Sequence, residues 1–103
     1  MAQPMKIRAT AEGDVVTVKV LMSHVMETGQ RKNDKGEAIP AHFIQHVTVT
    51  HKGRVVLAAQ WGTSIAANPF TVFKFTGGAK GDPVKVTWID SRGDTRSDEV
   101  AIT

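Results

Sequence analysis

The sequence contains no cysteine. A disulfide, a thiolate nucleophile and a thiolate metal site on this chain are therefore excluded, and redox habit gives no reading of compartment. Nothing approaches the roughly 18 apolar residues of a membrane span, and the opening MAQPMKIRAT lacks the apolar segment of a secretory signal. The expectation is a soluble chain with no export address of its own. A basic run is missing too: 13 Lys and Arg against 10 Asp and Glu leave a formal charge of +3, spread over the whole length, and aromatic residues make up only 6%. Phosphate binding needs clustered cations, and binding to single strands also needs exposed aromatics. Neither nucleic acid nor a membrane is an expected partner.

What is present is the mixture of an ordinary folded domain. The 103 residues are 41% apolar and 22% charged, enough for one modest core, so residues 1–103 are read as a single domain. The dominant pattern has period two. VVTVKVLM, Val15 to Met22, sets Val16, Val18, Val20 and Met22 on one side; the other side is also fairly apolar, as in a central strand. MKIRAT reads as an edge strand joined to it through Glu12-Gly13-Asp14. From His42 to His51, Phe43, Val47 and Val49 alternate with Ile44, His46, Thr48 and Thr50. Lys52-Gly53 is a tight hairpin signal, with Arg54 to Gln60 as the returning strand. FTVFKFT at Phe70–Thr76, VKVTWID at Val84–Asp90 and Thr95–Ile102 complete the set, with GGAKGDP and Ser91–Asp94 as turns. About seven antiparallel strands without a helical segment predict an all-β, immunoglobulin-like β-sandwich lacking the usual disulfide.

No catalytic constellation stands out. His42, His46 and His51 invite a metal reading, but His42 and His46 on one strand have Cα atoms about 13 Å apart, too far to share an ion unaided. They are read as solvent-facing strand histidines. The carboxylates Asp90, Asp94, Asp98 and Glu99 are read as clustering around a solvated hairpin. Arg92-Gly93-Asp94 matches an adhesion tripeptide but sits where a β-turn is required, and GGAKGDP lacks the ending and following helix of a phosphate loop. Met22 and Met26 are read as gap-filling core residues. No catalytic, cofactor-binding or metal-ligating residue is assigned, and no cofactor is expected.

The unusual stretch is HVMETGQRKNDKGEAIP, seventeen residues from His24 to Pro40. Loops beyond roughly 12–15 residues are uncommon in compact domains and tend to be functional or disordered. Glu27, Asp34 and Glu37 balance Arg31, Lys32 and Lys35, so it is no electrostatic tether. It divides into a compact front half, a flexible tip KNDKGE and a rigid Ile39-Pro40 lead into the next strand. One reading is a solvated excursion; the other is a recognition loop at one end of a sandwich.

SHVMETGQRKNDKGEAIP resembles the HPMETGQRKD…G…IPR motif of the SoxZ family, the small subunits of the SoxYZ sulfur-carrier heterodimer of bacterial thiosulfate oxidation. AANPF at Ala66–Phe70 is similar to that family's NP-aromatic segment, and TWIDSRGD to its T-W-x-D ending. Two departures stand out: Val25 replaces a common proline and Ala41 a common arginine. The resemblance implies a subunit without catalysis of its own, paired with SoxY, whose cysteine carries sulfur intermediates between Sox enzymes. It further implies periplasmic residence, reached folded and bound to the signal-bearing partner. On that basis His24, Met26, Glu27, Thr28, Gly29, Gln30, Arg31 and Lys32, with Asn68, Pro69 and Phe70, form the expected partner-binding set. Arg31 is the expected anchor, because its planar fork binds a carboxylate or anion bidentately. Transient contacts with other Sox enzymes, and a homodimer when the chain is alone, are further expectations. The competing readings are a stand-alone module for a carbohydrate or protein ligand, and a histidine-dependent metalloenzyme.

Overall fold

The computed structural model describes residues 3–103. Seven strands form, β1 (Lys6–Glu12), β2 (Val15–Leu21), β3 (Ile44–His51), β4 (Arg54–Gln60), β5 (Phe70–Thr76), β6 (Pro83–Asp90) and β7 (Thr95–Ala101). They build a three-stranded sheet in the order β1-β2-β5 and a four-stranded sheet in the order β4-β3-β6-β7. Every pairing is antiparallel. This is the expected all-β sandwich, compatible with the immunoglobulin-like class, and no helix is long and apolar enough to cross a membrane.

The period-two pattern does what it promised. Val16, Val18 and Val20 on β2, with Met22 just after it, face Val47 and Val49 on β3 and Val84, Val86 and Trp88 on β6, all essentially solvent-free. β2 is central in its sheet and β1 is an edge. The Lys52-Gly53 hairpin has both residues at positive φ, 52° and 79°, the geometry of the tight turns that match strand twist. Across the sandwich, Thr103 pairs back on β1: its N–H donates to Ala9 O at 2.9 Å and its own carbonyl accepts from Ala11 N–H.

The expected faces of β3 need correcting. Ile44 is buried together with Val47 and Val49, although 44 and 47 have opposite parity. A register shift between Ile44 and His46 resets the alternation, as a bulge does by leaving one residue unpaired. His51 is also not solvent-facing. It is 5% exposed, its Nε2 lies 2.8 Å from Asp82 Oδ2, and its ring packs 5.2 Å from that of Phe75. Only His46 of the three is freely exposed; His42 precedes β3 and is half-buried.

Candidate functional site

The next inward position of β6 after Trp88, two residues on, is Asp90. A carboxylate in a core-facing position must find hydrogen-bond donors or raise its energy sharply. Asp90 is 2% exposed and finds four. Its Oδ2 takes His24 Nε2 at 3.0 Å and His42 Nε2 at 2.7 Å. Its Oδ1 accepts the backbone N–H groups of Arg92 at 3.0 Å and Asp94 at 2.9 Å. Burial pushes the Asp90 carboxyl up, but the two histidine bonds and two backbone bonds outweigh it, and the group lies below the ordinary carboxylate range. The expectation that Asp90 belongs to a solvated hairpin is therefore wrong: strand parity, not the neighbouring turn, decides its burial.

His24 is fixed from both sides. Met26 N–H donates to His24 Nδ1 at 3.1 Å, so in the neutral ring the proton is on Nε2, which donates to Asp90. The ring meets His42 edge-on at 4.6 Å and Trp88 at 5.2 Å and 88°. A cleft of about 200 Å³ opens beside it, lined by Gln3, Ser23, Val25 and Asn68 among others. The ligand atoms of His24, His42 and Asp90 lie within 4.8 Å of one another, a metal-like grouping. The tautomer argues against that use, because a metal ion needs the Nε2 lone pair that the proton occupies. The cluster reads as a hydrogen-bonded hub tying the start of the long loop, its end and the β6–β7 turn together.

From this hub the 24–40 segment rises as a hairpin arm. Glu27 and His42 exchange backbone hydrogen bonds of 2.7 and 3.0 Å, Ile39 N–H donates to Arg31 O at 2.7 Å and Asn33 N–H to Glu37 O at 2.9 Å. The tip, expected to be flexible, is turned by Asn33, whose Oδ1 accepts from Lys35 N–H at 2.9 Å and Glu37 N–H at 3.1 Å. The molecule is elongated, 54 × 20 × 20 Å. Gly29 sits at φ +86°, and a Cβ there would lie 3.3 Å from Ala41 Cβ; the two limbs of the arm approach closely at this point.

The structure sorts the expected partner-binding residues. His24 and Met26 are buried, 8% and 6% exposed, and Pro69 is buried as well. Met26 takes φ 49°, and its sulfur accepts from Ile44 N–H at 3.3 Å. These residues set the arm's root. Glu27 is half-buried and holds Arg31 through paired contacts of the guanidinium with both carboxylate oxygens; the Arg31 bond keeps the Glu27 carboxyl below its ordinary range. Thr28, Gln30, Arg31 and Lys32 are exposed along the arm, and Gly29 is half-buried. Asn68 joins the root: its Oδ1 accepts from His24 N–H at 3.2 Å and its N–H donates to His24 O at 2.9 Å. Phe70, 62% exposed, lies on the outer face of the three-stranded sheet, opposite Leu21. Sequence reasoning missed the Asp90 hub. The signal was available in the alternation Val84, Val86, Trp88, Asp90.

No curated protein matches the chain. Among solved structures it is similar to the hypothetical protein PH1083 from Pyrococcus horikoshii, with a TM-score of 0.68 at 18% identity over 99% of this chain and 89% of that one. It is also similar to a superoxide reductase in the oxidized state, with 0.67 at 15% identity over 99% and 89%. Superoxide reductase (neelaredoxin) from Archaeoglobus fulgidus gives 0.61 at 17% identity over 97% and 87%. At these identities the likeness is one of fold. A family model for sulphur oxidation protein SoxZ matches residues 5–101. The chain belongs to the SoxZ family of sulphur oxidation proteins.

Proposed function

We propose that the chain is the non-catalytic subunit of a SoxYZ sulfur-carrier heterodimer, supporting a SoxY subunit whose cysteine carries sulfur intermediates between Sox enzymes in the periplasm. One observation supports this reading above the others: a cysteine-free member of a sulfur-oxidation family spends its distinctive residues on a protruding, hydrogen-bonded arm instead of a reactive cleft. The buried carboxylate of Asp90 is engaged by four donors that tie the arm's root to the sandwich. The sulfur chemistry then belongs to the partner's thiol, and export belongs to the folded pair.

Within this reading the arm meets the partner's mobile cysteine segment or the visiting enzymes. Arg31 presents a guanidinium already oriented by Glu27, which leaves its remaining N–H donors for a carboxylate or a thiosulfonate-like anion. Coexpression with a SoxY-family chain tests the assembly, and a stoichiometric heterodimer is expected. In the reconstituted system, Arg31→Ala with Lys32→Ala should slow turnover at least several-fold without splitting the pair. Because the Glu27–Arg31 pair lies at the surface, where solvent screens it, its loss should leave the unfolding temperature nearly unchanged. Unchanged turnover removes the arm from the mechanism; a chain that never pairs removes the heterodimer.

A further inference from the structure

The outer face of the three-stranded sheet carries an imbalance that the fold does not need. Lys6 and Arg8 on β1, Lys19 on β2 and Lys74 on β5 all point outward, with Glu12 as the one carboxylate among the outward residues of these strands. That difference matches the formal charge of +3 of the whole chain. Arg8 and Lys19 stand directly opposite each other in the β1–β2 register, an arrangement that costs stability in an isolated sheet. Among the described residues none of these four cations makes an ion pair. Threaded between them are exposed apolar side chains: Val72 opposite Lys19, and Phe70 opposite Leu21, which are 48%, 62% and 38% exposed.

The outer face of the four-stranded sheet is different. There Thr87 and Ser97 hydroxyls bond each other at 2.8 Å, Thr48 stands opposite Thr87, and Lys85 stands opposite Glu99. It too exposes apolar side chains, Val55 and Ile89, but its Lys85 stands opposite a carboxylate, whereas Arg8 on the other sheet stands opposite Lys19.

We propose that the outer face of the three-stranded sheet is the surface on which the permanent partner subunit docks, through a complementary patch of carboxylates surrounding apolar side chains. This rests on the heterodimer reading above and says which face the pair uses. Burying Leu21, Phe70 and Val72 supplies a contiguous apolar patch on the β5 side of the face, while Lys6, Arg8, Lys19 and Lys74 flank it, select an acidic surface and speed its approach. A second copy of this chain is excluded as the occupant by charge, since two such faces repel. Nucleic acid fits less well, because three aliphatic or aromatic side chains interrupt the cations and Phe70 alone offers a stacking ring. The face is continuous with the arm: Leu21 ends β2 just before His24, and Phe70 follows the Asn68 that clasps His24.

The test uses the coexpressed heterodimer and measures its dissociation constant at low and high salt, beside the thermal unfolding of the free chain. Arg8→Glu places a carboxylate opposite Lys19, so the free chain should unfold at the same or a higher temperature; together with Lys74→Glu it should weaken the heterodimer at least tenfold. Val72→Asp should do the same, and Thr48→Glu on the four-stranded face should leave the constant within twofold. Affinity of the unaltered pair should fall as salt rises. Intact binding by the Arg8→Glu/Lys74→Glu and Val72→Asp chains, with loss on Thr48→Glu, overturns the proposal while leaving the heterodimer standing. A free chain that self-associates through this face, or binds a DNA oligonucleotide through it at physiological salt, also overturns it. Failure of the unaltered chains to pair at all defeats the heterodimer reading itself.

Discussion

Asp90 Oδ2 lies 3.0 Å from His24 Nε2 although the two residues are 66 positions apart in the chain. This contact, with its companion from His42, is where the sandwich grips the arm. β6 delivers the carboxylate, the exit from β2 delivers one imidazole, and the approach to β3 delivers the other. The arm therefore leaves the domain in a direction fixed by a buried charge and not by the local preference of its own residues.

Replacing Asp90 with alanine strips two imidazoles and two backbone N–H groups of their acceptor at once. The expected loss is about 3 kcal/mol, in the range seen when a buried charged partner is removed. Asp94→Ala is the control: the Asp94 side chain is exposed and accepts from Thr95 N–H, and its loss should cost less than about 1 kcal/mol. Urea unfolding of the two variants separates them, and equal losses would mean that the hub does not anchor the fold.

Acid should loosen the domain through its carboxylates. The Asp90 carboxyl is held low despite burial, by its two histidine and two backbone bonds. Asp82 is held low chiefly by His51, and Asp98 chiefly by Arg96. A group with a folded value below its unfolded one stabilises the fold above the unfolded value, and that contribution disappears as pH falls through the folded one. The carboxylate contribution should thus be full above about pH 5 and fall away below about pH 4. The Asp90→Asn chain should start lower at neutral pH and decline less steeply in acid. Parallel curves for the two proteins would show that Asp90 does not carry the effect.

Zinc should not stabilise the free chain. Since Met26 N–H occupies the lone pair of His24 Nδ1, freeing Nε2 for a metal would put two hydrogens face to face. One equivalent of Zn²⁺ is expected to leave the unfolding temperature unchanged, measured with a His24→Ala/His42→Ala chain alongside. A rise confined to the unaltered chain would show that the grouping of His24, His42 and Asp90 binds metal after all.

The turn between β5 and β6 should tolerate no side chain at Gly78. A Cβ there would lie 2.7 Å from Val16 Cγ2 and 3.1 Å from both Ile102 Cδ1 and Phe75 Cε2. Gly78→Ala should cost about 1–3 kcal/mol as an overpacked core position. Gly81→Ala makes a useful comparison, since nothing lies within 4 Å but φ is +92°, so its penalty comes from backbone strain alone. Calorimetry on both chains distinguishes crowding from strain.

The strands, their order along the chain and the core of β2 and β6 were legible in the amino-acid sequence, because a strand's alternation is local: Val16, Val18, Val20 and Met22 point one way whatever they pack against. The hairpin at Lys52-Gly53 was legible for the same reason, a turn being a property of the few residues that make it. The resemblance at METGQRK also named a family that the match over residues 5–101 bears out. Tertiary structure alone decided the rest. The bulge near Gln45 turned Ile44 inward, and the partners of His51 and Asp90 came from distant parts of the chain. Pairing of Arg8 with Lys19, and of Leu21 with Phe70, gathered scattered charges and apolar side chains onto one face. These placements depend on the register between paired strands, and a one-residue change in register sends a side chain to the opposite face. Composition counts charges, but only the folded sheet places them side by side.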